Sequence, residues 1–194
     1  MLVFTEVGQS ELVINKSKFI GFTLKGNSKN DFLNLIATMN NNHASASHIA
    51  FAYQIKKQHR IDAYFNDAGE PSGTAGRPLL NIIESKQIVN SGIAVVRYYG
   101  GVNLGTGNLA RAYNKAGMLA LSSSKLTDFV ELKKYNLLLK YNMLEIIINV
   151  INNNRSIVLD KHFEINVLVI AMLTKEAVDN IQSQHPTVQI SLAE

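Results

Sequence analysis

Two glycine-rich segments carry most of the chemically versatile side chains of this 194-residue chain. The first is GEPSGTAGRP at 69–78, and with the aspartate before it the segment supplies acids, hydroxyls and a cation: Asp67, Glu70, Ser72, Thr74 and Arg77. Carboxylates in such loops act as general bases or metal ligands in enzymes. In turns they bond instead to backbone amides, while the glycines take positive φ. We favour this structural role, because no histidine or nucleophile stands at a recognised spacing.

The second segment, RYYGGVNLGTGNLARAY at 97–113, has the composition of an anion site. A helix predicted to start at its glycines would leave its first amides free to bind a phosphate or carboxylate. Helical spacing places three polar residues of this helix on one stripe, and residues 86–125 contain no acid. The predicted polyanion-binding residues are Arg77, Arg97, Gly101, Gly105, Thr106, Gly107, Asn108, Arg111 and Lys115.

This segment departs from the known nucleotide-binding patterns. No Gly-Lys-Ser/Thr follows the glycines, and GGVNLGTG does not fit G-x-G-x-x-G, so no cofactor is predicted. One alternative is that the glycines only allow tight turns and close packing, with Arg111 and Lys115 on a solvated face. An enzymatic alternative assigns catalysis to His48, Asp67 and Glu70, since His48 can approach the first segment in space.

Hydrophobic spacing predicts the elements that position these residues. Strands are expected at 11–15, 18–24, 49–55, 61–65 and 93–99, and the last is continuously apolar and aromatic, as in a buried strand. Ser28 is the predicted N-cap of a helix that runs through Met39. Further helices are expected at 79–85 and 106–121, and the second of these buries Leu109, Ala112, Ala116 and Leu119.

The C-terminal third differs in composition, since no glycine occurs after Gly117, and regular strands and helices are predicted along it. Its predicted order is strand 132–141, helix 142–152, strand 156–159, strand 163–173, a helix capped by Thr174 that runs to 183, and strand 188–192. That order is the ferredoxin-like βαββαβ motif. The serine-rich stretch 122–127 is the predicted linker. We therefore predict an α+β protein with two domains, at 1–124 and 128–194.

Composition and charge exclude several classes of protein. The chain has no Cys, which excludes a disulfide framework, a thiolate metal site and a cysteine nucleophile. Its apolar stretches are far shorter than the about 20 residues of a membrane-spanning helix, and no secretory signal is recognisable, so we expect a cytoplasmic protein without a membrane partner. Residues 1–125 carry 13 Lys/Arg and 7 Asp/Glu, whereas residues 126–194 carry 6 and 8. An anionic partner is therefore expected at the N-terminal domain.

The two glycine segments resemble motifs of the IMPACT family, the YigZ-like proteins. The family pattern S-D-D-G-E-P-[SA]-G-T-A-G-[RK]-P is similar to NDAGEPSGTAGRP at 66–78. The pattern V-V-x-R-Y-[FY]-G-G-x-x-L-G-x-G-x-L-x-[RK]-A-Y is similar to AVVRYYGGVNLGTGNLARAY at 94–113. NKSKFIG at 15–21 and HASASH at 43–48 resemble two further motifs.

The resemblance implies an N-terminal α+β domain similar to the second domain of a small-subunit ribosomal protein and to domain IV of elongation factor G. For the tail it implies a ferredoxin-like domain of the same factor. It also implies a role in translational control and nucleic-acid binding, with no settled enzymatic activity. Ala68 stands where the family has the second acid of an Asp-Asp pair. This departure weakens any mechanism that uses two carboxylates on a metal, and no metal site is predicted.

Three hypotheses follow from the residues and the resemblance. The first is a translation-associated regulatory protein, without catalysis, that binds RNA, the ribosome or another polyanion, with a protein of the translation machinery as a further partner. The alternative is a small-molecule phosphate or nucleotide hydrolase that uses the same loops and holds a phosphate at residues 105–108. The third is a protein-interaction module that uses the open face of the C-terminal sheet.

Overall fold

The computed structural model describes residues 1–58 and 60–193, which form two compact units, Met1–Phe129 and Val130–Glu194. Two residues lie outside the described ones: His59, which the sequence predicts to be at the surface, and Glu194, the last residue of the predicted C-terminal domain. The first unit ends beyond the predicted boundary at residue 124, because a strand that follows the three serines pairs within this unit.

Among the described residues of the first unit, seven strands are present: β1 (Leu2–Glu6), β2 (Gln9–Ile14), β3 (Ser17–Lys25), β4 (His48–Lys56), β5 (Ile61–Asn66), β6 (Ser91–Tyr98) and β7 (Lys125–Asp128). Five of them form an antiparallel sheet in the order β2-β3-β6-β4-β5. All five were predicted, with bounds that differ by a few residues.

The other two strands, β1 and β7, form a separate antiparallel pair that the sequence did not predict. Phe4 lies opposite Leu126 in this pair, and both side chains pack against the core of the unit. The predicted linker at 122–127 is therefore wrong for residues 125–127. The serines before them are polar, but the alternation that follows buries one face of a short strand.

The described part of the unit also contains the helices α1 (Lys29–Asn42), α2 (Gly76–Ser85) and α3 (Thr106–Ser122). The predicted N-cap of α1 is confirmed, since Ser28 Oγ accepts a hydrogen bond from the Asp31 amide and Asp31 Oδ2 accepts one from the Ser28 amide. Leu119 was predicted to be buried in α3 but is exposed, because the buried stripe runs through Tyr113 and Ala120 instead.

Strand β6 lies at the centre of the sheet and is buried on both faces. Ile93 and Val95 belong to the core under α2 and α3, whereas Ala94 and Val96 belong to the core under α1. Because side chains alternate along a strand, Arg97 continues the first face. The next residue, Tyr98, faces the α1 side, where its hydroxyl lies 2.8 Å from His43 Nδ1. The alternation of side chains therefore directs the Arg97 side chain towards the core beneath α3.

The second unit contains strands β8 (Lys133–Leu139), β9 (Ile157–Phe163), β10 (Val167–Leu173) and β11 (Gln189–Leu192), with helices α4 (Leu144–Asn153) and α5 (Lys175–Gln184). The predicted order of strands and helices is confirmed. The sheet is antiparallel with the order β11-β8-β10-β9, and the helices contribute Ile147, Ile151, Ala177 and Ile181 to one core. Among the residues described, no helix has the length and apolar character needed to cross a membrane.

One detail of the second unit differs from the prediction, and another confirms it. Phe163 was predicted to begin a strand that runs to Leu173, but it ends β9 instead. A turn follows it, in which the Glu164 amide donates to the Asn166 carbonyl at 3.0 Å, and β10 begins only at Val167. The predicted cap of α5 is confirmed, since Thr174 Oγ1 accepts a hydrogen bond from the Ala177 amide.

The end of β6 lies directly against the turn between β2 and β3. In that turn Asn15 and Lys16 have positive φ, at 45° and 65°. Gly100 packs so closely that a Cβ there would lie 2.1 Å from the Lys16 carbonyl atoms, and its amide donates to Ser17 Oγ at 3.1 Å. Only glycine allows this approach of two backbones.

We therefore predict that Gly100→Ala lowers the free energy of unfolding by about 1–3 kcal/mol, because the Cβ forces the backbone of the turn to move. Gly107→Ala is the matched control, since a Cβ there would come no closer than 4.0 Å to Arg111. That control is expected to leave stability within about 1 kcal/mol of the parent or raise it. Urea denaturation followed by circular dichroism measures both. Equal effects of the two substitutions would contradict the close-packing argument.

Candidate functional site

Residues of the two glycine segments meet in the first unit, around a cavity of about 470 Å³. His48, at the start of β4, lies opposite Arg97, near the end of β6, in the strand register. The loop before α2 adds Glu70, and the start of α3 adds Gly105 and Thr106. The cavity is therefore positioned by two central strands, one loop and one helix N-terminus.

A buried ion pair forms the floor of this cavity. Arg97 Nη1 donates to Glu70 Oε1 at 2.7 Å, and the two residues are 5% and 8% exposed. The Arg97 guanidinium also lies 5.4 Å from the ring centre of Phe19 and 5.3 Å from that of Tyr99. Such cation–π contacts replace part of the hydration that a buried guanidinium loses. The charge of Arg97 is thus held in the interior.

Tyr113, in the buried stripe of α3, completes the pair. Its hydroxyl donates to the same Glu70 Oε1 at 2.7 Å, and its ring packs edge-on against Phe19. Burial raises the pKa of Tyr113 well above its ordinary value, and the hydrogen bond to Glu70 raises the pKa further. Tyr113 therefore remains a donor, and Glu70 Oε1 accepts two hydrogen bonds.

His48 faces the other oxygen of Glu70. Its Nδ1 lies 2.8 Å from the Ala68 carbonyl oxygen, and a carbonyl can only accept, so Nδ1 carries the proton. The second ring nitrogen, Nε2, lies 3.9 Å from Glu70 Oε2. The structure thus brings together two of the three residues of the enzymatic alternative, His48 and Glu70.

Asp67, the third residue of that alternative, has a structural role. Its Oδ1 accepts hydrogen bonds from the amides of Ala75 and Gly76, at 2.9 and 2.8 Å, and its Oδ2 accepts one from Gly73 at 2.8 Å. These bonds satisfy the start of α2, where Ala75 at the N-cap has no side-chain oxygen. The predicted loop role of Asp67 is confirmed by these bonds, and its catalytic role stays a prediction of the enzymatic alternative.

The predicted polyanion-binding residues divide into two groups. Arg97 was expected to present its charge to a partner, and its burial against Glu70 corrects that expectation. Exposed positions are held by Thr106, Gly107, Asn108, Arg111 and Lys115 on α3, by Gly101 and Gly105 in the loop before it, and by Arg77 at the start of α2. Arg111 Nη1 donates to Asn108 Oδ1 at 2.8 Å, and Arg77 lies 3.7 Å from Glu84.

The N-terminus of α3 has amides without helical acceptors. Gly105 takes the N-cap position with φ of 73°, and no hydrogen bond from a capping side chain is present there in the described part of the chain. The first amide that bonds within the helix is that of Leu109, which donates to the Gly105 carbonyl at 2.9 Å. Gly105 and Thr106 line the cavity, so the positive end of the helix dipole opens on it.

Sequence reasoning missed two residues of this site. Ser17 Oγ lies 3.5 Å from Arg97 Nη2 and accepts from the Gly100 amide. Its one signal in the sequence was its place in the NKSKFIG motif at 15–21. Tyr113 carried a signal, because a phenol in the apolar stripe of a helix needs a buried partner. Among the residues that the structure describes, no group of three or more His, Asp or Glu side chains is placed to hold a metal ion.

Comparisons with known proteins show which family the chain belongs to. The Impact N-terminal domain family matches residues 15–121. The chain is 38% identical over 111 residues to the IMPACT family member YvyE of Bacillus subtilis, a match that covers 57% of this chain and 51% of the relative. It is 30% identical over 172 residues to an IMPACT family member of Haemophilus influenzae, which covers 88% of this chain and 84% of the relative. A crystal structure of a hypothetical protein, 25% identical, superposes with a TM-score of 0.69 and covers 100% of this chain and 97% of that protein.

We predict that Glu70→Gln lowers the free energy of unfolding by about 3–5 kcal/mol, because it leaves the Arg97 charge buried without its partner. The control is Glu84→Gln, which removes the exposed contact with Arg77 and is expected to cost about 0–1 kcal/mol. Urea denaturation of both variants measures the difference. If the two substitutions cost the same, the buried pair is not the source of stability that we describe.

A second prediction concerns alkaline pH. Because folding raises the pKa of Tyr113 above its ordinary value of 10.0, the contribution of this residue is complete below about pH 10 and declines as pH rises further. The expected decline is about 1.4 kcal/mol per pH unit from this residue. Tyr113→Phe should make the dependence of unfolding free energy on pH shallower between about pH 10 and 11. An unchanged slope in this variant would refute the assignment.

Proposed function

The chain belongs to the IMPACT family, and from that premise we propose that it is a translation-associated regulatory protein that binds RNA, the ribosome or another polyanion without catalysis. The translational part of the proposal comes from the family. The binding part comes from the exposed face of α3. A protein of the translation machinery is a further proposed partner, and the cytoplasm is the proposed location.

One observation carries the binding proposal: the exposed side chains of α3 include cations and amides but no carboxylate. Arg111 and Lys115 are solvent-exposed and one helical turn apart, and Asn108 and Asn114 flank them. No acid occurs anywhere in residues 86–125. Exposed cations on one helical face match the phosphate backbone of a nucleic acid, which supplies most of the affinity in sequence-independent binding.

The side chains of this face favour backbone contact over base reading. Arg111 is held by Asn108, so its guanidinium is partly ordered before a partner arrives. Lys115 provides a second, more flexible charge, and Asn side chains can donate to phosphate or sugar oxygens. A surface of this kind binds many RNA sequences alike and loses affinity as salt rises.

We propose the finer fold assignments together with this function. The unit that begins at Val130 is proposed to be a ferredoxin-like domain, supported by its element order and by the sheet order β11-β8-β10-β9. The unit that ends at Phe129 is proposed to be the IMPACT-type domain, similar to the second domain of a small-subunit ribosomal protein and to domain IV of elongation factor G.

The test is a salt titration of RNA binding. Arg111→Ala and Lys115→Ala should each weaken binding of single-stranded RNA of any sequence and lower the slope of log affinity against log salt by about 1. Fluorescence anisotropy with labelled RNA measures both quantities. Lys140→Ala, which removes one exposed charge from the other unit, is the matched control and should leave the slope unchanged.

Two results would refute the proposal. One is a purified protein that shows no salt-dependent affinity for RNA or ribosomes. The other is an Arg111→Ala variant whose affinity and salt slope equal those of the parent and of Lys140→Ala.

A further inference from the structure

We propose that the cavity between His48, Glu70 and the start of α3 binds a small molecule with a primary ammonium group at one end and a carboxylate or phosphate at the other. This inference does not depend on RNA binding, because it uses none of the exposed cations of α3. It rests on three features of the cavity: a pair of acceptors at one end, amide donors at another, and apolar side chains in the wall.

The first feature is the Glu70 oxygen that faces His48. Glu70 Oε1 is occupied by Arg97 and Tyr113, whereas Oε2 accepts no hydrogen bond from any residue that the structure describes. The Glu70 side chain is nevertheless only 3% exposed. Since Glu70 lines the cavity, Oε2 can accept a hydrogen bond from a molecule that occupies it.

His48 specifies what kind of donor fits. Nδ1 donates to the Ala68 carbonyl, so in the neutral tautomer Nε2 is an acceptor, and it lies 3.9 Å from Glu70 Oε2. Two acceptors at this separation can share one group that has two or more hydrogens to give, at the usual donor–acceptor distance of about 2.8–3.0 Å from each. A primary ammonium has three hydrogens and a charge that complements the carboxylate, whereas a hydroxyl satisfies only one acceptor.

The second feature is the start of α3, which presents hydrogen-bond donors to the cavity and so favours an anion. Gly105 and Thr106 line it, and the first amides of this 17-residue helix have no acceptor within the helix. Amides at the positive end of a helix dipole bind carboxylates and phosphates. Because Glu70 already neutralises Arg97, a ligand that carries both an ammonium and an anion adds no net charge to the cavity.

Size and wall chemistry limit the ligand to a small molecule. A cavity of about 470 Å³ falls within the range of small-molecule sites, about 300–1,000 Å³. Leu104 and Leu109 also line it, and so does Tyr99, which is 46% exposed. An alkyl spacer between the ammonium and the anion matches this apolar wall.

A series of probes measures the spacing between the two ends. Glycine, β-alanine, γ-aminobutyrate and ε-aminocaproate carry the same two groups on alkyl chains of increasing length, and ethanolamine phosphate replaces the carboxylate by phosphate. Isothermal titration calorimetry of the full chain with each probe should give one preferred length. For that length, the analogue with a hydroxyl in place of the ammonium should bind at least about tenfold more weakly, as should the amine without the anion.

Variants test the two ends separately. His48→Phe removes the Nε2 acceptor from a partly exposed position, and Thr106→Glu places a carboxylate where the anion of the probe would bind. Each substitution should weaken binding of the preferred probe by about tenfold or more. Glu70→Gln is a further variant, but it perturbs the fold through Arg97. The matched controls are His162→Phe in the other unit and Glu84→Gln on α2, both outside the cavity, and they should bind the probe like the parent.

The proposal is overturned if no probe binds with a dissociation constant below about 10 mM, the outcome expected if a water molecule satisfies the two acceptors instead. It is also overturned if the acid or the amine of matching chain length binds as well as the preferred probe, or if folded His48→Phe binds that probe as tightly as the parent does. A length preference that is lost in His48→Phe and kept in His162→Phe supports it.

Discussion

The buried ion pair between Glu70 and Arg97 is the interaction on which the first unit depends. Taking two charges out of water is costly, and the cost is offset only when the pair has good geometry and further hydrogen bonds. Here Tyr113 supplies a second donor to Glu70, and aromatic rings cover the guanidinium. The loop before α2, the end of β6 and the middle of α3 are consequently fixed relative to one another.

Each glycine segment does a different part of this positioning. In the first, three backbone amides converge on the carboxylate of Asp67, which shapes the loop and places Glu70 over the end of β6. In the second, Gly100 allows the chain to pass against the turn at Lys16, and Gly105 takes the positive φ that turns it into α3. The motif residues therefore act first on the backbone, and through the backbone they position a small set of side chains.

The sequence predicted most of the elements because their signals are local. The continuous apolar run of β6, the Ser28 cap and the apolar stripe of α3 each depend on residues within a few positions of one another. The interior position of Arg97 was not predictable in this way. Its partner Glu70 is 27 residues away in sequence, and the two meet only when the loop has folded over the sheet. The short pairing of β1 with β7 was missed for the same reason, because it joins the two ends of the first unit.

The absence of acids from residues 86–125 had indicated a uniformly positive region, and the fold divides that charge. Arg97 is neutralised from another segment by Glu70, and Lys125 pairs with Glu6. Lys86 lies at the end of α2, whereas Arg111 and Lys115 lie on the outer face of α3. The peptide dipole of the same helix points its positive end at the cavity instead. One helix therefore offers two different positive surfaces, an outer one made by side chains and an inner one made by backbone amides. Because the charges reside on different atoms, substitutions in the side chains of one surface leave the donors of the other in place.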